Sequence, residues 1–198
     1  MSLQKYIAEL LGTFLLTFAV IASLANNFPL ATPLVAGLTL GLVVYTMGGV
    51  SGAHINPAVT VGLWSIKKIS TKDAVVYIIS HMIGATLAML LARHLFSFTS
   101  TLVAADTMPV FLAEAIGAFI LVVGVTSIVL KKDAAPYSGV VIGGSLLLGA
   151  AIAGRVSNGV LNPAVAWGIG SFSLVYVLGP LVGALVAAQL VKWLMRTR

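Results

Sequence analysis

The segment SGAHINPAVTVG at 51–62 returns as SNGVLNPAVAWG at 157–168, so whatever this chain folds into must accommodate the same unit twice. AELLGTF at 8–14 likewise returns as AEAIGAF at 113–119, and IGATLA at 83–88 agrees loosely with VGALVA at 182–187. The chain is a duplication. Repeat one covers about 1–95 and repeat two about 110–198, within a single domain over 1–198.

The two copies share an unusual solvent. Globular chains carry about 25% charged residues. Here only 8% are charged, 60% are hydrophobic and the mean hydropathy is +1.11, more apolar surface than a core of this size can hide. A bilayer supplies a medium in which such side chains need no protein cover. A crossing helix needs roughly 20 apolar residues at about 1.5 Å each. Six segments qualify, at about 6–25, 33–50, 74–95, 110–130, 138–154 and 174–195, giving an all-α integral membrane protein. The N-terminal run is superficially like a signal peptide, but it has no convincing cleavage region and contains Glu9, so it is expected to be retained as the first span.

Lys5, Lys67, Lys68, Lys72, Lys131, Lys132, Lys192, Arg196 and Arg198 fall on one side of a six-span layout, and only Arg93 and Arg155 on the other. Positive residues mark the cytoplasmic side, which predicts both termini there. Three crossings per copy is an odd number. The second copy must therefore enter from the opposite side, which makes the duplication an inverted repeat.

Each copy carries Asn-Pro-Ala, at Asn56, Pro57, Ala58 and at Asn162, Pro163, Ala164, after a Gly- and Ser-rich stretch and before an apolar run of about ten residues. Asn is a preferred N-cap and Pro a preferred first helical residue, so each triplet reads as a helix start. Ten residues cover about half of the ~30 Å hydrocarbon core. Irregular backbone at that depth is tolerated only inside protein or along a polar cavity, so Gly52, Ala53, His54 and Ile55, with Asn158, Gly159, Val160 and Leu161, are expected to line a pore. Inverted symmetry brings the half-helix starts together at mid-membrane, where the dipole ends and the amides of Asn56 and Asn162 repel cations and protons. A water accepting from both amides donates only outward, which breaks a proton relay at the centre.

The paired triplets, 106 residues apart in matching context, together with Glu9, Glu114 and GPLVGA at 179–184, resemble the aquaporin (major intrinsic protein) superfamily over essentially the whole chain. The resemblance implies a passive channel for water and small neutral solutes, assembled as a homotetramer with one pore per subunit. Most relatives follow the second triplet with an arginine that, with an aromatic or bulky residue, forms an outer selectivity filter. Here Val165 stands in that place, and counting from the asparagines puts the other filter positions on Ala36, Ala150 and Gly159. Water-selective members use an aromatic, a histidine and the arginine. Glycerol facilitators keep the arginine and usually follow it with aspartate, where this chain has Ala166. A wider, less polar constriction is implied.

Other polar residues have bland and functional readings side by side. Glu9 and Glu114 are ionisable groups in apolar spans, functional candidates by default, and the preferred role is structural, each carboxylate accepting hydrogen bonds from the loop of its own half. His54 either gates by protonation or, as preferred, packs its ring behind the loop with its carbonyl toward the pore. His81, where relatives often have glutamine, is assigned a hydrogen-bonding role, and His94 a place at the membrane boundary. Arg155 either lends charge to the outer mouth or snorkels to headgroups. Gly12, Gly84, Gly117 and Gly183 are expected at close helix contacts.

Other classes are disfavoured. There is no cysteine, and three scattered histidines make no metal ligand set, so neither enzyme chemistry nor a metal or cofactor is expected. The net charge of +6 is dispersed between apolar stretches without aromatic interleaving, which argues against nucleic acid as a partner. A coupled transporter with Glu9 and Glu114 as its ion site, or a non-conducting structural protein, remains as an alternative of the same fold. The lack of targeting extensions and the compactness suggest a prokaryotic inner membrane.

Overall fold

Without water to satisfy backbone polar groups, an apolar chain must pair them internally, and this one does so as helices. The computed structural model describes residues 3–25, 28–100, 102, 105–131 and 135–196. Lys132 and Arg198, counted above for orientation, lie outside those residues. In chain order the helices are α1 Leu3–Leu24, α2 Thr32–Ser51, α3 Pro57–Ser65, α4 Thr71–Phe96, α5 Met108–Leu130, α6 Ser138–Ala153, α7 Pro163–Gly168 and α8 Leu174–Leu194, with a 3-10 turn at Ala135–Tyr137.

Five of these, α1, α2, α4, α5 and α8, are long and apolar enough to cross a membrane. The sixth expected crossing, α6, has 16 residues and reaches about 24 Å at 1.5 Å per residue, the shortest of the set. It occupies the place in repeat two that α2 has in repeat one, packed against both α2 and α5.

Buried polar side chains sit inside the bundle among apolar ones, while large apolar side chains cover its outside. On α1, Glu9, Thr13 and Thr17 are fully buried while Ile7, Leu11 and Leu15 are exposed, and Leu38, Leu42 and Val140 are at least 60% exposed. Such a surface is stable in hydrocarbon and not in water.

Close helix contacts follow the repeat. A Cβ on Gly84 of α4 would strike the Leu10 carbonyl of α1, and one on Gly183 of α8 would strike the Ala115 carbonyl of α5. The halves also interlock, because α3 packs more extensively on α8 than on α4, and α7 more on α4 than on α8.

The half-helices are shorter than the ten residues expected, nine in α3 and only six in α7. Both end by left-handed closure. Lys67 at φ 64° lets Lys68 N–H donate to the Leu63 carbonyl at 2.9 Å, and Gly170 at φ 79° lets Ser171 N–H donate to the Ala166 carbonyl at 2.9 Å. Because Gly170 comes so soon after Pro163, α7 stops about one turn earlier.

Candidate functional site

Each half-helix begins at its asparagine. Asn56 Oδ1 accepts from Ala58 N–H at 2.8 Å, and Asn162 Oδ1 accepts from Ala164 N–H at 3.0 Å and Val165 N–H at 3.3 Å. Pro57 and Pro163 occupy the first helical position, where no N–H is needed.

The amide nitrogens then reach across the repeat. Asn56 Nδ2 donates to the Leu161 carbonyl at 3.0 Å, and Asn162 Nδ2 donates to the Ile55 carbonyl at 3.0 Å. Each amide has two N–H groups. One is spent on the opposite loop, and the other remains for the cavity that both asparagines line.

The acceptor carbonyls belong to residues held in unusual conformations. Ile55 (φ 39°) and Leu161 (φ 57°) both lie in the left-handed region, as do Ala53 (φ 49°) and Gly159 (φ 61°). For residues with a side chain this costs about 1–3 kcal/mol each, so something must hold them. In the first half Glu9 does: Oε1 accepts from His54 N–H at 2.9 Å and Oε2 from Ile55 N–H at 2.6 Å. In the second half Glu114 Oε1 accepts from Val160 N–H at 3.0 Å and Oε2 from Leu161 N–H at 2.7 Å. With its N–H groups turned back to a carboxylate, each loop presents carbonyls forward. The side chains of Ile55 and Leu161 are seated on Gly12 and Gly117, one helical turn beyond each glutamate, where a Cβ would collide with them.

Both carboxylates are fully buried, and a buried charge is tolerable only when well partnered. Glu9 Oε2 also meets His81 Nε2 at 2.7 Å, whereas Glu114 Oε1 accepts from Ser157 Oγ at 2.7 Å. His54 places its ring against Tyr77, with Nδ1 3.0 Å from Thr60 Oγ1, and also lines the cavity. His94 is exposed in the last turn of α4.

Sequence reading missed the tyrosines. Tyr77 Oη donates to the Ser51 carbonyl at 2.7 Å, and Tyr176 Oη accepts from Asn158 N–H at 2.9 Å, so each ties down the loop of its own half. A signal existed: Tyr77 precedes Gly84 and Tyr176 precedes Gly183 by the same seven residues.

One cavity of about 330 Å³ runs between the loops. Of the residues singled out from sequence, Asn56, Asn162, Ala36, Ala150, Gly159, Val165, Gly52, Ala53, His54, Ile55, Asn158 and Val160 line it. Pro57, Ala58, Pro163 and Ala164 do not, and neither does Leu161, which was expected to contribute pore-loop backbone. Leu161 is fully buried because its N–H, carbonyl and side chain are all engaged elsewhere. Arg155 is exposed on the turn after α6 and is absent from the lining, although Gly154 and Ser157 on either side of it contribute. Among the described residues the lining includes no Asp, Glu, Lys or Arg, and His54 is its sole titratable side chain.

Opposed half-helices tied tip to tip beside an uncharged cavity, inside a bundle of apolar crossings, define a polytopic membrane channel. A family model described as Major intrinsic protein matches residues 1–191. Aquaporin AqpM of Methanothermobacter thermautotrophicus is 30% identical, over 96% of this chain and 97% of its own. The glycerol uptake facilitator protein-like 6 of Lactiplantibacillus plantarum is 33% identical, over 94% and 95% respectively. An X-ray structure of the aquaglyceroporin from Plasmodium falciparum superposes with a TM-score of 0.74 over 98% of this chain and 97% of that one, at 23% identity, a match of fold. The chain belongs to the major intrinsic protein family. It is an integral membrane protein and a passive channel for water and small solutes, not an enzyme.

Proposed function

We propose that residues 1–198 form one channel domain in which Asn56, Pro57, Ala58, Asn162, Pro163 and Ala164 build a central region that passes water and small neutral solutes and refuses protons and cations. The observation that carries this reading is the reciprocal pair of bonds from Asn56 Nδ2 to the Leu161 carbonyl and from Asn162 Nδ2 to the Ile55 carbonyl. These bonds fix the remaining amide donors side by side on one cavity. A cation entering there meets N–H groups and no carboxylate, so nothing replaces its lost hydration.

Ala36, Ala150, Gly159 and Val165 serve as the outer filter. Without an arginine they offer neither a fixed positive charge nor side-chain donors. A solute crossing them bonds instead to backbone carbonyls, and the opening admits neutral molecules larger than water.

The positive residues of the described chain, including Lys5, Lys67, Lys68, Lys72, Lys131 and Arg196, support cytoplasmic termini, and the short connections between helices are in keeping with a prokaryotic plasma membrane. A homotetramer with one pore per subunit is the assembly that the family likeness supports.

Light-scattering measurements on proteoliposomes under osmotic challenge test the function. Water, glycerol and urea should each cross faster than in empty liposomes, independently of proton or sodium gradients. Equal exclusion of all three would refute the reading.

A further inference from the structure

The inverted repeat maps the outer filter onto a second ring at the cytoplasmic end of the same passage. Applying the 106-residue spacing of the two asparagines, Ala36 corresponds to Ile142, Gly159 to Ala53, Val165 to Val59 and Ala150 to Val44. The register is structural as well as sequential. Gly37 and Gly143, each next in chain to Ala36 and Ile142, meet across the pseudo-two-fold axis, where a Cβ on either would strike the carbonyl of the other.

The two rings are unequal. Where the outer one has a methyl group at Ala36, the inner one has a branched butyl group at Ile142. Where the outer one has only hydrogen at Gly159, the inner one has a methyl at Ala53, and Val59 matches Val165. Ile142, Ala53 and Val59 line the passage, and Val44 is buried without lining it. Farther along, the matched stripes Leu16 and Val20 of α1 and Leu121 and Val125 of α5 line it equally from both halves, so they introduce no asymmetry.

We infer that the size limit of this channel is set on its cytoplasmic side by Ile142, which lines the passage together with Val59 and Ala53 of the inner ring, and not at the outer filter positions. Ile142 is a specificity-determining residue. It offers no hydrogen bond, so it sorts solutes by girth and by tolerance of dehydration. Rivals exist at the other end: Leu102, from the connection between α4 and α5, Pro33 and Ile169 also line the passage and have no lining counterparts inside.

The inference rests on the proposed channel reading, and the test separates the two. Full-length protein is reconstituted, and glycerol and erythritol fluxes are each divided by the water flux of the same vesicles. Ile142→Ala should raise the erythritol-to-water ratio by about tenfold, the scale on which small changes in an apolar wall discriminate solutes. Ile142→Val, which keeps the packing, should raise it by a smaller factor in the same direction. Leu90→Ala, at an exposed position outside the passage, should leave the ratio where it is. A merely structural role for Ile142 would lower all fluxes together and leave the ratio unmoved. The inference is overturned if both Ile142 variants keep the unmodified ratio, or if Ala36→Gly or Leu102→Ala shifts it in their stead. Absence of any flux in the unmodified protein would overturn the functional reading, and this inference with it.

Discussion

His81 Nε2 lies 2.7 Å from Glu9 Oε2, a contact that the second half of the molecule does not have. The position related to His81 by the alignment of IGATLA with VGALVA is Pro180, which has no side-chain donor. Glu114 relies instead on Ser157. The two loop anchors are thus equivalent in what they hold and different in how they are held. Replacing His81 by Leu should lower stability by about 1–3 kcal/mol, the cost of stranding a buried partner. His81→Gln, which restores a donor, should recover much of that loss. Thermal unfolding of detergent-solubilised protein reads both.

Glu114→Gln exchanges one acceptor oxygen for a donor, so the side chain can no longer accept from Val160, Leu161 and Ser157 together. One buried N–H or hydroxyl then loses its acceptor. We expect a loss of solute and water flux larger than the loss of folded protein. Flux per folded molecule, with protein quantified by size-exclusion chromatography, makes the comparison.

Gly117→Val should act on the same loop from the opposite direction. The new side chain would meet Leu161 and the Gly149 carbonyl, and overpacking of this kind costs about 1–3 kcal/mol. The Leu161 carbonyl would shift away from Asn56, so proton leak should rise in whatever protein inserts. A pH-sensitive dye inside proteoliposomes reports it.

Val165→Arg would place a guanidinium on the lining of the outer passage, where the wall is now apolar. Glycerol flux should fall by about tenfold relative to water, because bulk and fixed charge enter the filter together. An unchanged ratio would remove Val165 from the filter.

The fold was legible in the sequence because its strongest signals are periodic and local. Apolar length marks a crossing, Asn-Pro marks a helix start, and the duplication fixes the relative sense of the halves. The observed helices begin and end within a few residues of the expected spans. What was not legible depends on groups that meet only after folding. Leu161 reads as one more apolar pore-loop residue, yet its carbonyl, N–H and side chain serve three separate partners. Arg155 reads as a charge near a loop, and folding leaves it on an exposed turn outside the lining. The length of α7 hinged on a single left-handed glycine, Gly170, whose conformation no propensity scale supplies.

The exchange of neighbours between the half-helices, with α3 leaning on α8 and α7 on α4, makes the two copies of the repeat dependent on one another. Neither copy encloses a conduit alone, since each lends the other a wall and a carbonyl. Cut within the connection between α4 and α5, the chain would yield two fragments, each inert when expressed singly. Co-expressed in one membrane, they carry the complementary surfaces needed to restore permeability by association.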